Sequence, residues 1–385
     1  MKKSALAPEH KPDKVDDAPL ANDGVLPTDV LRDVLLRLPA KALCNRIRLV
    51  CRSWRLLTSD PVFVQAHKFL HPLIAGLHED QREIHIIDLH GNTIIRRIPV
   101  PRACNDLTTQ LDVVCASAIK EPSFVLEKGQ REVSALPELQ LVGDTTFFPS
   151  VLGYVPSTGE YKVLFFKLYC TNNHGHVQPC HVISLNGGNR RWRVAPRPAV
   201  PVEPAPGNRA VIGGVAYFLM NPYNVNCPDD LEPDSIASFD LAAEEWMPTP
   251  LRGPLSSLLS AGGDALSYKK HRHDFQLTEL NGSLVIVHCK NRGRSMDIWF
   301  LMDIDKAKGI WCKRYSMQCA SEWEYNRRFY PLIILDDGRI VMWNRIGQIM
   351  RAYDPRTSTW STYRLCNWYC YFGTKGGTFS TGSNN

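Results

Sequence analysis

No apolar run in this chain approaches the ~20 residues that a membrane-spanning helix needs; the longest candidate, Val211 to Met220, is interrupted by glycines. The opening stretch MKKSALAPEHKPDKVDD has charge but no apolar centre, so it is not expected to be an export leader. Residues 1–24 are expected to be a disordered lead. Cysteine spacing with a recognisable purpose is also missing. The twelve cysteines are scattered and form no paired-cysteine knuckle, so they are expected to be reduced thiols, in a protein of the cytoplasm, the nucleus or both. Neither a phosphate-binding glycine loop nor a nucleophile elbow is present, and the Ser-x-Asp-x-Gly order of sialidase turns is absent. No catalytic residue and no cofactor is therefore expected. The segment CTNNHGHVQPCH offers Cys170, His174, His176, Cys180 and His181 as soft ligands. Its spacing suits a long interstrand loop, and no metal site is expected there.

Charge is unevenly placed. Of the net +6, residues 25–72 carry +5 and residues 1–24 carry −1, which leaves about +2 for the other 313. The basicity thus sits on one short block, LPTDVLRDVLLRLPAKALCNRIRLVCRSWRLLTSDPVF, whose partner is either an acidic protein or nucleic acid. Pro27 fits a first helical turn, Asp29 complements the helix dipole, and Val30, Leu31, Val34, Leu35 and Leu38 form a helical stripe that Pro39 ends. A second helix is expected over about Lys41 to Val50 with Leu43, Ile47 and Val50 inward. A third carries Trp54 and Leu57, with a break at Ser59-Asp60-Pro61. So small a block cannot hide Val30, Leu31, Leu35, Val50 and Trp54 in one core, and the surplus reads as an interface. A DNA-reading helix would need exposed polar side chains at its N-terminal end, so a nucleic-acid partner is not expected, nor is a membrane.

These residues resemble an F-box: Leu26-Pro27, Leu38-Pro39, Val50-Cys51-Arg52-x-Trp54 and Asp60-Pro61-x-Phe63 all fall on its pattern. The resemblance implies docking on an acidic Skp-type adaptor, and through it on a cullin, with Pro27, Val30, Leu31, Leu35, Leu38, Pro39, Val50, Cys51 and Trp54 at the contact. Asn45-Arg46-Ile47 departs from the pattern, where an aromatic or Leu is more usual near Ile47.

The remaining chain repeats itself. An apolar residue, Asp or Asn, five residues and then Trp recur in LNGGNRRW, FDLAAEEW, IDKAKGIW and YDPRTSTW, ending at Trp192, Trp246, Trp311 and Trp360. Upstream of each stands a hairpin signal, with Thr158-Gly159, Gly213-Gly214, Asn281-Gly282 or Asp337-Gly338 at the turn. From the Gly to the following Trp is 33, 32, 29 and 22 residues. Two hairpins per unit make a four-stranded blade, and such blades around an axis make a propeller. The confident blades lie near 151–195, 211–250, 276–316 and 329–364. Residues 73–100 are expected to add another and Asp112 to Leu141 a degenerate one, six in all, with the recurring Trp packing blade on blade. LGYVPSTGEYKVLFF and SIASFDLAAEEWMP are similar to the kelch-like, F-box-associated propeller of the large plant F-box families; Val155 stands where that family usually has Asp.

The fold class expected is therefore α plus all-β: a three-helix F-box at 25–70, a kelch-like β-propeller of about six four-stranded blades at 73–370 and a disordered tail at 371–385. The resemblance implies a non-catalytic receptor subunit of a ubiquitin ligase that holds an unidentified target protein. A Skp-bound scaffold without ligase role is an alternative, as is a propeller enzyme or glycan binder.

Overall fold

The computed structural model describes residues 26–78, 80–89, 93–118, 122–127, 129–139, 146–147, 149–171, 175–188, 190–221, 232, 234–255, 274–290, 294–305, 308–318, 329–344, 349–363 and 372–374. The chain divides into two compact units, Met1–His67 and Lys68–Asn385.

In the first unit Pro27 precedes helix α1 (Thr28–Leu36), and its carbonyl accepts the Leu31 amide at 2.9 Å. Pro39 likewise precedes α2 (Ala40–Asn45). The second helix is shorter than expected. The chain leaves α geometry at Arg46 (φ −127°) and makes one 3-10 turn over Ile47–Leu49, which swings Val50 outward. Two further helices follow, α3 (Arg52–Ser59) and α4 (Pro61–Leu70), with the expected break at Asp60. The Asp60 side chain accepts the Val62 amide at 3.2 Å there, capping the new helix. Leu31, Leu35, Leu43 and Phe63 form the core, with Leu38, Ile47, Trp54 and Leu57 packed against it. Polar ties close the bundle: Arg48 donates to the Thr58 carbonyl at 3.1 Å, and a His67 ring nitrogen lies 2.8 Å from the Leu38 carbonyl.

The second unit is a propeller of six blades. Blade 2 is Cys104–Gln110, Val113–Ala118, Phe124–Leu126 and Ser134–Ala135, from the innermost strand outward. Blade 3 is Val151–Val155, Glu160–Thr171, Cys180–Ser184 and Arg193–Ala195, and its long second strand also pairs Thr146–Phe147 and Gly175–Val177. Blade 4 is Arg209–Ile212, Val215–Leu219, Ile236–Asp240 and Glu245–Trp246. Blade 5 is Phe275–Leu280, Ser283–Lys290, Ser295–Asp305 and Lys308–Gln318, and blade 6 is Phe329–Ile334, Ile340–Asn344, Ile349–Asp354 and Thr359–Tyr363. All pairs in the blades are antiparallel, and successive innermost strands lie side by side around the whole circle.

Blade 1 departs from the expectation. Leu73–Leu77, Glu83–Asp88 and Thr93–Pro99 supply only three strands, and Phe372–Thr374, expected in the disordered tail, supplies the innermost one. Ala75 faces Gly373 in that pair. The far end of the chain thus supplies the innermost strand of the first blade and covers the inner edge of Leu73–Leu77. Blade 2 also begins earlier than Asp112, at Cys104.

The turns follow from their glycines. Gly213 and Gly214 (φ +60° and +87°) and Asn281 and Gly282 (φ +49° and +83°) form two-residue loops whose positive φ values match the strand twist. The core lies between successive sheets: Phe166, Phe218 and Phe239 between blades 3 and 4, and Phe300, Phe329 and Met342 between blades 5 and 6.

Candidate functional site

The α1 sequence sorts its own surface. Leu31 and Leu35 are one turn apart and point to Leu43 and Phe63, which leaves them 5% and 1% exposed. Expected at a partner's surface, they are instead core residues, because the helix turns that row inward. The neighbouring row, Leu26, Val30 and Val34, faces solvent. Beyond the 3-10 turn Leu49 and Val50 are 73% and 58% exposed, and Leu56 and Val62 are exposed as well. Of the other expected contacts, Pro27 and Cys51 are exposed, while Leu38, Pro39 and Trp54 are half-buried. Arg46, Arg52 and Arg55 stand exposed around Leu49 and Val50 in the chain, and the Arg55 guanidinium donates to the Arg48 carbonyl at 3.3 Å. These exposed apolar residues and arginines all belong to the helical unit, and sequence periodicity missed Leu49, Leu56 and Val62 among them. Their only signal was to be apolar in a block too small to bury them.

In the propeller the four recurring tryptophans do one job. The indole N–H of Trp192 donates to the Pro137 carbonyl at 2.8 Å, that of Trp246 to Pro196 at 2.8 Å, that of Trp311 to Arg252 at 2.9 Å, and that of Trp360 to Gln318 at 3.2 Å. In each case the acceptor lies at or just beyond the outer strand of the preceding blade, so each ring ties one sheet to the last.

Ion pairs run across the same seams. Lys162 of blade 3 donates to the Leu241 carbonyl at 2.7 Å and to Glu244 at 2.9 Å, and Arg193 grips the same carboxylate. Burial would raise the Glu244 carboxyl, but the hydrogen bonds from Arg193 and Lys162 outweigh it and hold the group below its usual range. Near the axis Arg209 of blade 4 reaches past blade 3 to the buried Asp106 of blade 2. Arg190 bridges to Glu127 beside a cleft of about 300 Å³ between blades 2 and 3, which Tyr161 and Asn186 also line. Their polar atoms are spent within the protein: the Tyr161 hydroxyl donates to Asp112 at 2.9 Å, and Asn186 accepts the Tyr161 amide at 2.9 Å.

Two buried thiols and one imidazole are held in their neutral forms. Burial pushes the Cys104 and Cys180 thiols up to about 12, which keeps them protonated. His181 is pushed down to about 4, first by burial and then by the Lys167 charge. His174 and the side chains of Cys170 and His176 lie outside the described residues. Among the described residues no three His, Cys, Asp or Glu side chains gather as a metal site, and no helix is long and apolar enough to cross a membrane.

The family model described as F-box associated beta propeller domain matches residues 107–357, and an F-box-like model matches residues 24–69. The chain belongs to the F-box-associated propeller family. An F-box protein of Arabidopsis thaliana is 24% identical to it over 335 residues, covering 85% of this chain and 79% of the relative. F-box only protein 12 of the same plant is 24% identical over 308 residues, covering 77% and 64%. Among solved structures, a chain of a nidogen/laminin complex is similar at TM-score 0.43 and 13% identity, covering 78% of this chain and 97% of that one. The F-box helices and the six-bladed propeller are thus both present, and the exposed α1 row and the Leu49–Val50 corner belong to the F-box unit.

Proposed function

We propose that this protein is the target-receptor subunit of a Skp–cullin–F-box ubiquitin ligase. The F-box unit docks on a Skp-type adaptor, the propeller holds a target protein, and the chain itself makes and breaks no bond. The observation that carries the reading is the F-box face: Val30, Val34, Leu49 and Val50 open to solvent beside exposed arginines, with Leu31 and Leu35 already spent on the internal core. An apolar patch with a cationic surround fits an acidic adaptor with a greasy groove. Ligase chemistry then follows from proximity, since tethering a target lysine near a charged ubiquitin carrier raises its effective concentration.

The test is co-purification of the full-length chain with a Skp adaptor, followed by target abundance in cells with and without the protein. Adaptor binding together with target loss supports the reading. Adaptor binding with stable targets would make it a Skp-bound scaffold. Failure to hold any Skp adaptor would end the proposal.

A further inference from the structure

Propeller blades end in an outer strand whose free edge is a template for pairing, and folds commonly keep such strands short. Here blades 2, 3 and 4 end in outer strands of 2, 3 and 2 residues, blade 6 in one of 5 and blade 1 in one of 7. Blade 5 does not. Its third and outer strands, Ser295–Asp305 and Lys308–Gln318, run 11 residues each, so the outer edge is roughly 35 Å long at ~3.3 Å per residue. Among the described residues the outer strand pairs only with its neighbour in the hairpin. Ile310 on the outer strand is 51% exposed, and Met302 and Ile304 on the third strand beside it are 54% and 48% exposed.

The charge on this edge has one sign. The outer strand, KGIWCKRYSMQ, contains three cations and no acid. Lys313 and Lys290 share one carboxylate, Asp297, at 3.7 and 2.9 Å, and Ser316 donates to it at 2.7 Å. Burial would raise the Asp297 carboxyl, but those hydrogen bonds and charges hold it low, so it stays anionic and its two lysines leave one positive charge over. The guanidinium carbon of exposed Arg314 lies over the Phe300 ring, 4.6 Å from its centre, with a guanidinium nitrogen 3.5 Å from the Met302 sulfur. On the third strand the Asp303 carboxylate accepts the Ile304 amide at 2.8 Å.

We propose that the outer edge of blade 5 is a docking strand for an extended acidic segment of a partner protein, which adds to the sheet as a fifth strand. Main-chain pairing supplies affinity, Ile310 takes an apolar side chain of the partner, and Arg314 and Lys313 take its carboxylates. A second copy of this chain fits poorly. A symmetric antiparallel pair centred on the strand's midpoint would set Lys313 directly across from its own copy, and like charges in that position destabilise a sheet. The edge is independent of the ligase reading, since a protein that failed to hold Skp would still present it.

The test uses the full-length chain and fluorescence anisotropy with a labelled 11-residue peptide of alternating Glu and Val or Thr. Two controls accompany it: the same peptide with Lys for Glu, and the same peptide with its backbone nitrogens methylated. Saturable binding of the Glu peptide is expected, at least tenfold weaker for either control and for Arg314→Glu. Lys313→Gln with Arg314→Gln should give a smaller loss in the same direction, and unchanged thermal unfolding midpoints would show the variants folded. Equal binding of the methylated peptide would overturn strand addition, and equal binding of the Lys peptide would overturn the charge assignment. No saturable binding of the Glu peptide would overturn both. Dimers in sedimentation velocity that Arg314→Glu disperses would make the occupant a second copy, and a tenfold gain on deleting residues 1–24 would make it this chain's own leading segment; either refutes a partner.

Discussion

Replacing Val50 by Asp and, separately, Leu35 by Ala should separate docking from folding, because the structure puts one side chain outside the F-box core and the other inside it. Leu35 is 1% exposed among Leu31, Leu43 and Phe63. Its truncation removes buried methyl groups and leaves a cavity, a change that costs about 2–5 kcal/mol. A helical unit of this size holds only about 3–5 kcal/mol. Leu35→Ala should therefore unfold the F-box unit or leave it barely folded. Val50 is 58% exposed. Val50→Asp should shift its stability by no more than about 0.5 kcal/mol. Adaptor binding separates the two by cause: Leu35→Ala loses it together with the fold, whereas the folded Val50→Asp protein loses ~1.5 kcal/mol of apolar transfer and adds the cost of burying an unpaired carboxylate, together a loss of about 100-fold or more. Amide exchange over residues 26–70 reads the first effect, and calorimetry with a Skp adaptor reads the second. A Val50→Asp protein that binds normally, or one that loses protected amides across α1, would refute this division of the surface.

Trp246→Phe keeps a ring against Phe166, Phe218 and Phe239 but removes the N–H given to Pro196, so it should cost about 1 kcal/mol, while Trp246→Ala should cost about 3–5 kcal/mol; equal losses in urea unfolding would remove the hydrogen bond from the account. Because the folded-state pKa of Glu244 is depressed, its contribution to stability is fully present above the ordinary value of 4.5 and is lost as pH falls below it. Glu244→Gln should accordingly destabilise the propeller at pH 7 and much less at pH 3, as measured by denaturant midpoints. Removing residues 372–385 should lower the thermal midpoint and expose the Leu73–Leu77 amides to exchange, since their pairing partner is gone. Among the described cysteines only Cys51 and Cys312 are exposed; they should react with a thiol reagent in the native protein, and adaptor binding should protect Cys51 alone.

Local patterns were legible and distant pairings were not. The recurring Trp and the glycine turns could be read from the sequence because a blade is closed by residues within about 35 positions of one another, so its period shows in the chain. The closure of blade 1 could not: Ile74 pairs with Thr374, and the Gly- and Thr-rich stretch around Phe372 carries no strand pattern of its own. Within the F-box, periodicity gave the width of the apolar stripe but not which half turns inward. That choice was made by Phe63 on α4, nearly 30 residues on, which draws Leu31 and Leu35 rather than Val30 and Val34. The length of the blade 5 hairpin was written in the absence of proline and of any early turn signal, but exposure on its edge depends on what other strands leave uncovered.

The return of Phe372–Thr374 to the sheet begun by Leu73–Leu77 sets an order of events during synthesis. About 300 residues separate the two strands, roughly 15–60 s of translation at typical speeds. Throughout that interval the nascent ring stands open with an unpaired inner edge, while the F-box helices have already left the ribosome. In a protein built this way the F-box unit exists before the propeller is complete, and Phe372–Thr374 acts as the latch that completes the ring.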